Sequence, residues 1–269
     1  MMNLQIHTPK IPLLSFAAAA VLGMTTSQAL ELNKGDHVVL IGNALAERMQ
    51  HHGWLESYTQ SSMPDKELVF RNHGFGGDKV NNRPRNSGFP SADAYLEISK
   101  ADVILAFWGY NESFDNSPDA YRADLAKWLD EINGKKFNGK SAPRVVIFSP
   151  IAHENLGQFN LPDGVANNER LAKYAEASRQ VANEKGVEFV DLFSQSQKYY
   201  GRSKTPLTIN GIHLTSEGNK QLARGIHKSL FGKLPRVRAR KLSRVNAAVI
   251  DKNWHWYNRY RATDGNDVW

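Results

Sequence analysis

The sequence predicts an α/β fold: a three-layer α/β/α sandwich around a mostly parallel five-stranded sheet, with a basic, aromatic C-terminal extension. Two observations point there. Five short runs of β-branched and apolar residues alternate with longer stretches of helical periodicity, which places helices on both faces of a parallel sheet. Polar and glycine-bearing motifs follow the first four runs, where an open α/β sheet gathers its ligand-binding loops beyond the carboxyl ends of its strands.

Residues 1–29 read as a secretory signal. Lys10 precedes an apolar run from Ile11 to Met24, and Ser27-Gln28-Ala29 forms a small-residue cleavage site. Cleavage is expected after Ala29, giving an exported protein of the periplasm or the medium. The apolar run is too short to favour a spanning helix, and no later stretch is apolar enough to cross a bilayer. The main domain is expected over 30–231. Its strands are His37–Ile41, Leu68–Arg71, Val103–Trp108, Arg144–Phe148 and Val187–Asp191, and its helices span about 44–60, 118–133, 167–185 and 216–230. In the third helix, Leu171, Tyr174, Ala175, Ser178, Val181 and Ala182 form one stripe opposite an Arg, Lys and Glu face. Segments 77–99 and 152–166 read as irregular excursions able to wall a cleft. Trp108 lies in an apolar strand and reads as core, while His51 and His52 point to different helix faces and read as solvated.

The strand-helix alternation stops near 231. The extension 232–269 reads as an Arg-rich helical segment followed by the aromatic run Trp254-His255-Trp256-Tyr257-Asn258-Arg259-Tyr260. Residues 231–262 carry nine Lys/Arg against one acid, Asp251, out of a net charge of +7. The extension therefore suits either packing against its own domain with a solvated basic face, or meeting a sulfated or uronic-acid polysaccharide. Nucleic acid is not expected, since no reader motif accompanies the charge. There is no cysteine, which excludes disulfides, thiol catalysis and thiolate metal sites.

Four segments carry a family resemblance: Gly42-Asn43-Ala44-Leu45, Gly74-Phe75-Gly76-Gly77-Asp78, Gly109-Tyr110-Asn111-Glu112 and Asn210-Gly211-Ile212-His213. In order and spacing they resemble the four sequence blocks of the SGNH/GDSL hydrolase superfamily. The resemblance implies a flavodoxin-like SGNH fold, with Gly77 and Asn111 as oxyanion donors and His213 as base. It also shows departures. Where the family has its nucleophilic serine this chain has Ala44, and where it has the triad aspartate this chain has Asn210; Asn43 likewise replaces an acid. A methyl group cannot attack a carbonyl, and a neutral amide supplies no charge to offset an imidazolium.

Other groups on the expected rim can carry chemistry. His213, Glu112 and Glu154 are the catalytic candidates; Asn43, Gly77, Asn111, His153 and Asn210 are candidates for oxyanion or substrate binding, and Asp78 lies on the same rim. No metal is expected, because His153, His213 and the carboxylates lack ligand spacing, and no cofactor is implied. Three functions follow. One is a hydrolase with an altered site acting on ester groups of carbohydrates by a non-serine route, a substrate class implied by the resemblance and by export. Another is a noncatalytic carbohydrate-binding relative. The third is a glycoside hydrolase using two carboxylates, which would need a separation of about 5–5.5 Å or about 6.5–9.5 Å.

Overall fold

The computed structural model describes residues 30–85 and 88–260. The expected signal segment and the chain's last residues, from Arg261 on, lie outside them. The chain runs β1 (His37–Gly42), α1 (Ala44–His52), α2 (Trp54–Ser62), β2 (Val69–Asn72), α3 (Ala92–Ile98) and β3 (Val103–Phe107). It continues with α4 (Pro118–Asn133), β4 (Arg144–Phe148), α5 (Val165–Lys185), β5 (Glu188–Val190), α6 (Leu192–Tyr200), α7 (Ser216–Phe231) and α8 (Ala239–Tyr260). The five strands form one parallel sheet in the order β2-β1-β3-β4-β5. The strand order reverses between β1 and β3, and such a switch point opens a crevice at the strand ends.

Successive strand residues enter opposite cores. Val38, Leu40, Leu105 and Val146 pack with Ala46, Leu55, Leu222 and Ile226 of α1, α2 and α7. Val39, Ile41, Ile104 and Ile147 pack with Leu125 and Leu129 of α4 and with Tyr174 and Val181 of α5. Burial on both faces is why the strands read as unbroken apolar runs rather than alternating ones.

The structure departs from the sequence expectation in the helices. The stretch 44–60 is two helices, broken at Gly53, which sits at φ 62° and caps α1 through its N–H to the Met49 carbonyl at 2.9 Å. A Cβ there would come within 2.8 Å of Val249 on α8, so the glycine serves both the left-handed turn and the approach of α8. The short α3 and α6 were not anticipated. Each is started by a side-chain cap, Ser91 accepting from Ala94 N–H and Asp191 from Ser194 N–H.

The extension joins the same body. From α8, the Asn246 amide donates to the His52 carbonyl at 2.8 Å, Asn253 to the Gln50 carbonyl at 2.9 Å, and Lys252 pairs with Glu56 at 2.7 Å. Trp256 donates to the Asn72 carbonyl at 2.8 Å and stacks on His73. Trp254 points outward at 62% exposure, and Arg238, Arg240, Lys241 and Arg244 are exposed. His51 is exposed, as expected, and also meets the Tyr257 ring edge-on. No helix among the described residues is long and apolar enough to cross a membrane.

Candidate functional site

The crevice predicted by the topology is present as a cleft of about 510 Å³ including its open mouth. Asn43, Ala44, Leu45 and Arg48 bring the β1–α1 junction to it, Trp108 and Tyr110 the end of β3, Ser149 to Ile151 the end of β4, and Ile212 to Leu214 the loop before α7.

The first wall depends on Gly42. At φ 142° its added Cβ would stand 2.3 Å from the Phe107 carbonyl oxygen, so only glycine lets β1 press this closely on β3 as it turns into α1. Asn43 then caps α1, its Oδ1 accepting from Leu45 N–H at 3.4 Å. The other end of that amide, Nδ2, is enclosed and has no hydrogen-bond partner, although Asn43 is only 3% exposed. Ala44 opens the helix, and Arg48 follows one turn later on the same face.

His213 is positioned from the opposite side. Its backbone N–H donates to Asn210 Oδ1 at 3.0 Å, and its ring Nδ1 lies 3.0 Å from Asn210 Nδ2 and 3.1 Å from Oδ1. A carboxylate at 210 could only accept, which would fix the proton on Nδ1 and leave Nε2 as a base. An amide admits both tautomers, and donation from Nδ2 into Nδ1 puts the proton on Nε2. Burial, then the Arg48 guanidinium, hold the imidazole below the ordinary histidine pKa, so it is neutral near pH 7.

Ser149 also lines the cleft, but its hydroxyl is engaged elsewhere. It accepts from Phe193 N–H at 2.9 Å and lies within reach of the Pro150 carbonyl and the Asp191 carboxylate, tying β4 to the start of α6. No hydrogen bond joins it to His213 among the described residues.

The remaining candidates have structural partners instead. Glu112 does not line the cleft: it is buried and accepts from Val80 N–H at 2.8 Å and Gly109 N–H at 2.9 Å. Burial raises its pKa against the pull of those amides. Glu154 is likewise buried, accepting from Leu207 N–H, Thr208 N–H and the Thr208 hydroxyl at 2.7–3.0 Å. Both expected catalytic carboxylates are therefore buried clips between loops. Asn111, expected to donate to an oxyanion, gives its amide hydrogens to the Gly76 and Asp78 carbonyls, each at 3.0 Å. Gly77 is exposed and outside the cleft lining. The glycine of that block under steric demand is Gly74, whose Cβ would lie 2.4 Å from Glu47 N. Asp78 pairs with Arg85 through both oxygens at 2.9 Å. His153 is buried away from the cleft, its Nδ1 meeting Asn167 and its ring pressed on Gly164 and Gly211. Of the residues singled out in the sequence, Asn43, Ala44 and His213 share the cleft and Asn210 orients His213.

Sequence reasoning missed Arg48 and Tyr110; Trp108, read as core, is 1% exposed and packs in the core with Trp128 of α4. Arg48 carried a usable signal, four residues from Ala44 on a predicted helix. No group of His, Asp and Glu able to hold a metal occurs among the described residues.

The model of the GDSL-like Lipase/Acylhydrolase family matches residues 41–221. The chain belongs to that family. A curated relative, GDSL esterase/lipase CPRD49 of Arabidopsis thaliana, is 23% identical over 197 residues, spanning 69% of this chain and 75% of that protein. Among solved structures, the acetylxylan esterase Axe2 of Geobacillus stearothermophilus superposes with a TM-score of 0.60 at 16% identity, covering 78% of this chain and all of that one. BT4096, a gut microbial diltiazem-metabolizing enzyme, gives a TM-score of 0.58 at 18% identity over 76% of this chain and 49% of its own. At these identities the structural likeness establishes the fold. Structures of Axe2 described as catalytic mutants replace a serine, an aspartate and, three residues after the aspartate, a histidine by alanine.

Proposed function

We propose that this GDSL-family protein binds a carbohydrate bearing an ester or acid group in the cleft between β1, β3 and β4, and forms no acyl-enzyme. The observation that carries the reading is the chemistry of the cleft lining: a methyl group at Ala44 where α1 begins, and His213 held by the neutral Asn210. Ala44 stands in the block where the family bears its serine. Asn210 precedes His213 by three residues, the spacing of the catalytic aspartate and histidine of Axe2. Replacing the triad aspartate by asparagine lowers rate by about 10⁴ even where a serine is present. The carbohydrate class is supported by the acetylxylan esterase neighbour, and the half-buried Tyr110 ring at the end of β3 suits a sugar ring. Export through residues 1–29 belongs to the same proposal and agrees with an extracellular glycan ligand. The two-carboxylate glycosidase loses support, since Glu112 and Glu154 are both spent on backbone amides.

A second reading rests on His213. Its Nε2 is the ring nitrogen left over, the ring is neutral near pH 7, and in the tautomer with Nδ1–H on Asn210 Oδ1 it can take a proton from water attacking a bound ester. One set of measurements separates the two. Saturable binding of acetylated xylo-oligosaccharide, no p-nitrophenyl acetate turnover and no fluorophosphonate labelling are expected. Turnover abolished by His213→Ala would replace binding alone with the water route. Labelling of a cleft serine, Ser149 above all, would overturn the proposal.

A further inference from the structure

We infer that the cleft is a carboxylate site, formed by Arg48, Asn43 and His213, and that its ligand is the free acid of a uronic-acid-containing oligosaccharide. This deepens the binding reading and rests on it. Among the described residues, no Asp or Glu lines the cleft, so none of them offsets a cation inside it. Arg48 nevertheless lines it, half-buried, with its Nε enclosed and no hydrogen-bond or ion-pair partner among the described residues. Other enclosed arginines have partners: Arg85 pairs with Asp78, Arg83 with Asp93 and Arg144 with Asp36, while Arg71 donates to the Phe70 carbonyl and Arg170 to Asn167 Oδ1. An enclosed Nε–H left without an acceptor carries a cost, and an anionic ligand reaching the half-buried guanidinium is the partner that would relieve it.

Two further donors converge with it. Asn43 Nδ2 is enclosed and unpartnered, and its amide cannot be turned to present oxygen without breaking the Oδ1 cap on Leu45 N–H. His213 presents Nε2–H when Asn210 Nδ2 donates to its other nitrogen. Both stand beside the amino terminus of α1, whose macrodipole favours negative charge. Two hydrogen bonds from Arg48 and one each from Asn43 and His213 match the four acceptor positions of one planar carboxylate.

The test is calorimetric titration of the full chain with digalacturonate, its methyl ester and acetylated xylo-oligosaccharide, with sulfate as competitor. The free acid is expected to bind at least tenfold more tightly than its methyl ester. Arg48→Gln should lower the affinity for the acid to that of the ester, and Arg48→Lys should restore only part of it, because an ammonium lacks the fork. Arg48→Gln should melt no lower than the parent protein, since the side chain leaves no protein partner behind. Equal binding of acid and methyl ester, unchanged acid binding by Arg48→Gln, or displacement by sulfate at comparable concentration would each overturn the carboxylate assignment. Binding of the acetylated oligosaccharide without binding of the acid would sink this inference and leave the binding reading standing; binding of neither would remove both.

Discussion

Glu154 is the residue whose two possible roles predict opposite experimental results. The residue is 6% exposed; its carboxylate accepts from Leu207 N–H at 3.0 Å and from Thr208 N–H and hydroxyl at 2.7 Å, while its own N–H donates to the Gly211 carbonyl at 2.8 Å. It therefore fastens the loop after β4 to the segment that carries Asn210 and His213. Glu154→Gln keeps one acceptor oxygen and turns an NH2 group toward a backbone N–H. Hydrogen bonds to a charged acceptor are worth about 1.5–3 kcal/mol each, and a buried donor left unpaired costs about 1–3 kcal/mol. Losing one bond and weakening the others should destabilise the protein by about 3 kcal/mol, which for a chain of this size lowers Tm by about 6–12 °C. Thermal melts followed by circular dichroism, with the His213 imidazole signals read by NMR, provide the assay. A Tm within about 1 °C of the parent, with unchanged His213 imidazole signals, would refute the structural role of Glu154.

Other outcomes can be checked independently. Gly211→Ala would place a Cβ 2.2 Å from His153 Nε2 at a φ of 89°, so it should destabilise by about 2 kcal/mol or more; pairing it with His153→Ala should make the double mutant more stable than the sum of the singles, and strict additivity would show that the contact carries no cost. Burial holds His227 down to about 4 and His73 down to about 3, the latter helped by Arg85 and Arg71. Both are neutral when folded and take up protons more readily when unfolded, so stability is full above the unfolded histidine pKa of about 6.5 and is lost as pH falls from there toward the folded values. The urea midpoint should drop steadily between about pH 6.5 and about pH 4, and a flat profile there would contradict the burial of these rings. Trp256→Ala removes the bond to the Asn72 carbonyl and the stack on His73; a loss of about 3 kcal/mol is expected, with faster amide exchange along α8, and unchanged exchange would show that the extension docks without it.

Much of the architecture was readable because it rests on local chemistry. A parallel strand buried on both faces must be apolar at every position, which made Arg144–Phe148 and Val103–Phe107 stand out, and Pro118 at the first turn announced α4. Asn43 and His213 could be picked out because they sit in short motifs at strand and loop ends, where an α/β sheet collects its ligands. The break at Gly53 was less visible. Glycine permits a left-handed turn without requiring one, and here the turn is held by the packing of α8, whose residues lie nearly two hundred positions later.

What the sequence determined by itself is the fold class, the family and the residue types available to the cleft, since these follow from periodicity and from motifs a few residues long. Only the tertiary structure decided how each polar group is used. Glu112, Glu154 and Asn111 look like chemistry in a one-dimensional reading and turn out to hold loops, whereas Arg48 looks like an ordinary helix surface cation and turns out to line the cleft with no partner among the described residues. The physical reason is that a group's reactivity depends on which of its donors and acceptors are already satisfied, and that is set by backbone from distant parts of the chain.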